Sequence, residues 1–141
     1  MRQEEFNQRI GYRLKEVQSL LRSRMEEALR PLGITVAQYV CLEILKSTPG
    51  ASNAELARQA FVTHQTMNTL LRGLQERGLI ERATHATKGR ALPTMLTPQG
   101  EQMLAQATGR IREIEQRMVG GFSDTQRQEL WDLLTACIEG I

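Results

Sequence analysis

Between Thr63 and Arg72 the sequence reads Thr-His-Gln-Thr-Met-Asn-Thr-Leu-Leu-Arg. Wound into a helix, this stretch turns Met67, Leu70 and Leu71, with Leu74 beyond, to one side. The other side carries Gln65, Thr66, Asn68, Thr69 and Arg72. These are short side chains that donate and accept hydrogen bonds, with one cation among them. Amides and hydroxyls in such a row match the donor and acceptor pattern of base edges in a major groove. They equally describe a solvated helix face. Further on, Arg82, His85, Lys88 and Arg90 cluster with Glu81 as the acid nearby. A projecting basic loop suits a phosphate backbone or a narrow minor groove, where the potential is most negative. An ordinary exposed charged turn has the same composition.

The elements that position these residues are punctuated by local signals. Phe6, Ile10, Leu14, Val17, Leu21, Met25 and Leu29 recur every three or four positions and predict one helix over 4–30. Pro31-Leu32-Gly33 ends it, because proline cannot continue the ladder and disfavours helix in the residue before it. Capping boxes are expected at Thr35/Gln38, Ser52/Glu55 and Ser123/Gln126. Thr63 is a further N-cap, and Thr97-Pro98 places a cap before a proline at the first helical position. Helices are predicted over 36–47, 53–60, 64–77, 98–119 and 124–139. A β-hairpin is predicted from Leu79–Thr84 and Ala91–Leu96 around a polar, glycine-containing tip. Pro93 within the second strand requires that its missing N–H face no partner.

Helix, turn, helix and hairpin in this order form a mainly α, winged helix-turn-helix with one β-hairpin wing. Residues 33–98 are expected to be its DNA-binding unit, with Thr63 and His64 expected where the helix N-terminus would meet phosphate. Residues 1–32 and 99–141 form long N- and C-terminal helices rich in apolar positions, among them Leu104, Ile111, Ile114, Leu130, Leu133, Leu134 and Ile138. One small domain cannot cover them all, so they are expected to make a two-fold homodimer. That pairing sets two recognition helices about 34 Å apart, or a multiple of it.

The chain has 141 residues, 18 basic and 16 acidic, and a formal charge of +2. Residues 31–98 carry seven basic and four acidic groups, residues 99–141 four and seven, so a polyanion would meet the middle. Apolar runs of a few residues exclude a membrane-spanning helix, and an N-terminus without a hydrophobic core predicts a cytoplasmic protein. Cys41 and Cys137 lie among apolar residues and read as buried structural thiols, not a disulfide framework. His64 and His85 have no cysteine or carboxylate cluster at ligand spacing, so no metal or cofactor is expected. No phosphate-binding glycine loop or nucleophile elbow points to catalysis. Tyr12, Arg13 and Tyr39 combine aromatic walls with a cation and are candidates for binding a small anion between the dimer helices and the central unit.

Over nearly its full length the chain resembles the MarR family of transcriptional regulators. The resemblance is carried by Gly33-Ile34-Thr35-Val36-Ala37-Gln38-Tyr39, Asn53-Ala54-Glu55-Leu56-Ala57, Val62-Thr63-His64-Gln65-Thr66-Met67 and Leu74-Gln75-Glu76-Arg77-Gly78-Leu79-Ile80-Glu81-Arg82. Gly89-Arg90-Ala91 and Leu96-Thr97-Pro98-Gln99-Gly100 complete it. It implies a homodimeric repressor on a roughly palindromic operator, released by a small aromatic or phenolic anion. Two positions depart from the family's pattern. Thr69 stands where arginine is common, and Lys88 stands where an aspartate commonly braces the wing arginine, here Arg90. Two other functions fit the same residues: a winged-helix module that binds protein and not DNA, and a regulator that senses oxidants through its thiols.

Overall fold

The computed structural model describes residues 3–82 and 93–141. Its order is α1 (Gln3–Asn7), α2 (Ile10–Leu29), a 3-10 turn (Arg30–Leu32), α3 (Val36–Ser47), α4 (Asn53–Ala60) and α5 (His64–Glu76). There follow β1 (Ile80–Arg82), β2 (Thr94–Leu96), α6 (Pro98–Met118) and α7 (Asp124–Glu139). The two strands pair antiparallel with Ile80 opposite Leu96 and Arg82 opposite Thr94.

The predicted helix over 4–30 is two helices. Arg9 is extended, with φ −69° and ψ 136°, and divides α1 from α2. The break lets the rings of Phe6 and Tyr12 meet at 4.7 Å between centroids. A continuous helix would hold those two residues about 120° apart around its axis.

Capping follows the sequence closely. Thr35 with Gln38 and Ser123 with Gln126 form reciprocal boxes. At Ser52 only one half forms: its hydroxyl accepts from the Glu55 N–H at 3.2 Å, and no bond returns from the Glu55 side chain. Gly33 and Gly78 end their segments at φ 75° and 72°, where a side chain would be strained.

The core lies where α3, α4, α5 and the hairpin meet, and runs on under α2 and α6. Leu29, Leu42, Leu45, Leu56, Met67, Leu71, Leu74 and Ile80 are fully or almost fully buried in it. Met67, Leu71 and Leu74 fall at helical spacing, so one side of α5 is committed to packing. Thr97 joins α6 to the hairpin: its hydroxyl donates to the Gly78 carbonyl at 2.6 Å and accepts from the Gly100 N–H at 3.0 Å. Gly100 packs so closely that a Cβ would lie 2.0 Å from the Leu79 carbonyl oxygen.

The last helix differs. No residue of α7 is buried, and Trp131, Leu133 and Ile138 are 68%, 66% and 74% exposed. Cys137 is exposed as well, which corrects the expectation of a buried thiol there. It lies on an apolar side of α7 that no described residue of the chain buries. Pro93 stands just outside β2 and is exposed. No single helix among the described residues is long and apolar enough to cross a membrane.

Candidate nucleic-acid interface

Helix α5 begins because Thr63 is extended and its hydroxyl accepts from the Thr66 N–H at 3.1 Å. Beyond it, His64, Gln65, Thr66, Asn68, Thr69 and Arg72 are all exposed, while Met67, Leu71 and Leu74 are buried. The structure therefore gathers seven of the nine residues expected to touch DNA onto one accessible surface. The other two, Lys88 and Arg90, lie outside the described residues, as does His85.

These side chains are not equally available. The Thr63 hydroxyl donates to the Thr66 hydroxyl at 3.0 Å, and the Thr69 hydroxyl donates back to the Gln65 carbonyl at 3.2 Å. Thr69 thus spends its proton on its own helix. Asn68 accepts from the side-chain amide of Asn53, the first residue of α4. Asn53 in turn accepts from Arg82 Nη2 at 2.8 Å. Arg82 is half-buried, opposite Thr94 in the strand pair, with its guanidinium turned to Asn53. Sequence reasoning missed Asn53 as a site residue, because its partners lie 15 and 29 positions away.

The turn before α5 has one strained residue. Phe61 sits in the left-handed region at φ 58° and its side chain is 94% exposed.

The three candidates for anion binding divide. Tyr12 and Arg13 share an open groove on α2 with Lys15, Glu16 and Leu20, and Arg13 pairs with Glu16 at 3.3 Å. Tyr39 does not line that groove. It is buried on α3, and its hydroxyl donates to Glu43 Oε1 at 2.7 Å, which also accepts from the Thr108 hydroxyl at 3.0 Å. Burial, then the hydrogen bond and charge of Glu43, hold the phenol pKa well above its ordinary value. A second groove of about 400 Å³ lies between α2 and α6, lined by Val17, Leu20, Leu21 and Ile114 and flanked by Arg24 and Arg117.

Cys41 is fully buried with its thiol against Met67 Sδ at 3.6 Å, and burial pushes its pKa up to about 11. Such a thiol is protonated at neutral pH and a poor nucleophile. Among the described residues no group of His, Cys, Asp and Glu side chains forms a metal site.

A capped helix with one packed and one polar, exposed side, set between a packing helix and an antiparallel strand pair, is the winged helix-turn-helix arrangement. The sequence pattern of the MarR family matches residues 32–91. The chain belongs to the MarR family of transcriptional regulators. It is 39% identical over 125 residues to the HTH-type transcriptional repressor Rv2887 of Mycobacterium tuberculosis, covering 89% of this chain and 90% of that protein. The crystal structure of Rv2887 with salicylic acid superposes with a TM-score of 0.74 at 38% identity, over 92% of this chain and 96% of that one. The structure of the transcriptional repressor CouR bound to a 23-mer DNA duplex gives a TM-score of 0.86 at 25% identity, over 98% of each chain.

Proposed function

We propose that this protein is a transcriptional repressor that binds a pseudo-palindromic operator as a homodimer. The observation that carries the reading is the exposed, polar side of α5 beside the foot of a hairpin, on a fold whose relatives include a repressor solved on a DNA duplex. In this reading residues 33–98 are the DNA-binding unit. Gln65, Thr66, Asn68, Thr69 and Arg72 face the major groove, Thr63 and His64 meet phosphate at the helix N-terminus, and Lys88 and Arg90 reach the neighbouring backbone or minor groove. The flanking segments 1–32 and 99–141 join two copies. The apolar, uncovered α7 supports that pairing, since exposed surface of this kind favours association. In this role the protein acts in the cytoplasm, where its DNA is, and nothing in the role calls for catalysis.

A small aromatic or phenolic anion is the proposed effector, because Rv2887 was solved with salicylic acid and with p-aminosalicylic acid. Tyr12 and Arg13, which share the groove on α2, remain its candidate contacts. Such a ligand releases DNA only if it binds the DNA-free spacing of the two α5 helices better than the bound spacing.

The test is selection of duplexes from a random pool, followed by sequencing. A two-fold related pair of half-sites is expected. Recovery of random sequence, or no retention on any duplex at low salt, overturns the reading and favours a protein-binding module. Salicylate added to the selected duplex should lower affinity; equal affinity with and without it removes the effector.

A further inference from the structure

Asn68 is held at one end. Its Oδ1 accepts from Asn53 Nδ2, and Asn53 Oδ1 accepts from Arg82 Nη2 at 2.8 Å. The direction of this chain is fixed by its last member. A guanidinium has donors only and keeps its proton, so the Asn53 atom beside it must be the carbonyl oxygen. The Asn53 NH2 group is then turned toward α5, and the Asn68 atom that meets it must be oxygen. The two ends of the Asn68 amide, otherwise interchangeable, are told apart: oxygen toward α4, NH2 left for the solvent side. Arg82 is well placed to hold this direction. It is half-buried, no ion pair among the described residues includes it, and its Nε is buried with no hydrogen-bond partner. Among the described residues, Asn53 is therefore the side-chain acceptor that meets this cation.

We propose that Arg82 and Asn53 are positioning residues that set Asn68 to read hydrogen-bond acceptors on a base edge, favouring guanine or thymine over cytosine. The proposal rests on the DNA-binding reading above and makes it specific. In the major groove guanine offers N7 and O6 and thymine offers O4, all acceptors, whereas cytosine offers the N4 donor. An outward NH2 bonds the first two and meets cytosine donor to donor. The foot of the hairpin thus selects sequence through α4 without touching a base.

The experiment repeats the random-pool selection with variants. The base pair read by Asn68 is the one whose preference Asn68→Ala abolishes. At that position the native chain should favour guanine or thymine over cytosine by about tenfold. Asn53→Asp supplies two acceptor oxygens, one for Arg82 and one for Asn68. It should turn the Asn68 NH2 inward and its oxygen outward, inverting the order so that cytosine outranks guanine. Arg82→Met releases the Asn53 amide and should leave guanine and cytosine equally accepted. Melting midpoints taken alongside confirm that each variant is folded. A merely structural role for Asn53 would weaken all duplexes alike, so an unchanged order in Asn53→Asp overturns the proposal. An unchanged order in folded Arg82→Met overturns it independently. If the native chain selects no sequence, the DNA-binding reading fails first and this inference falls with it, a result distinct from failure of the variants alone.

Discussion

Helices α5 and α7 each present a side that is exposed among the described residues, and the two sides differ in kind. On α5 the uncovered residues are amides, hydroxyls and a cation, and the opposite side is sunk into the core through Met67, Leu71 and Leu74. On α7 the uncovered residues include Trp131, Leu133, Leu134 and Ile138, and no residue of that helix is buried. A polar side anchored by a packed back can be offered to a hydrated partner and withdrawn. An apolar side without a packed back is costly in water and calls for a permanent cover. The first suits a reversible, sequence-reading contact, and the second suits a second copy.

Substitutions that separate the two helices test this contrast. The largest effect belongs to the packed back of α5: Leu71→Ala should cost about 2–5 kcal/mol of stability, seen in a denaturant titration. A loss well below 1 kcal/mol would mean that α5 is not seated as described. On α7, Leu133→Glu with Ile138→Glu should yield monomers by sedimentation while the fold of the central unit survives. Duplex affinity should fall about a hundredfold as two-site binding is lost. A variant that stays dimeric would remove α7 from the interface.

Alkaline pH probes the α3–α5 contact. The Cys41 thiol has an ordinary pKa of 9.0, raised by burial to about 11 in the folded protein. Its contribution is fully present below pH 9 and is lost as pH rises through 9 to 11, because the unfolded chain gives up the proton first. Over that window native stability should decline about 2–3 kcal/mol more steeply than in Cys41→Ala. Parallel declines would show that the thiol is not buried. Smaller still, Thr63→Ala should cost about 1 kcal/mol through loss of the α5 cap. At the lower end, Arg72→Ala should reduce the salt dependence of duplex binding by about one unit, with no change in stability. An unaltered slope would take Arg72 off the contact surface.

What the sequence made legible was local. Caps, proline breaks and glycine stops are decided within four residues, and Thr35, Thr63, Thr97, Ser123, Gly33 and Gly78 all do what their types predict. The exposed side of α5 was legible because helical spacing separates Asn68 and Arg72 from Met67 and Leu71. The errors lie where distant residues compete. The ring contact of Phe6 with Tyr12 accompanies a broken helix that periodicity alone reads as continuous. Composition groups Arg82 with His85, Lys88 and Arg90, and only the folded chain brings Asn53 beside it. Chemistry alone groups Tyr39 with Tyr12 and Arg13, yet it bonds Glu43 on its own helix, four positions along.

The seating of Gly100 against Leu79 has a mechanical consequence. Helix α6 is 21 residues long, roughly 30 Å, and at its first turn backbone lies on backbone with no side chain between to yield. Its far end borders the groove between Arg24 and Arg117. Any side chain at position 100 would have to lift that first turn off Leu79, so the joint between the long helix and the hairpin admits glycine alone.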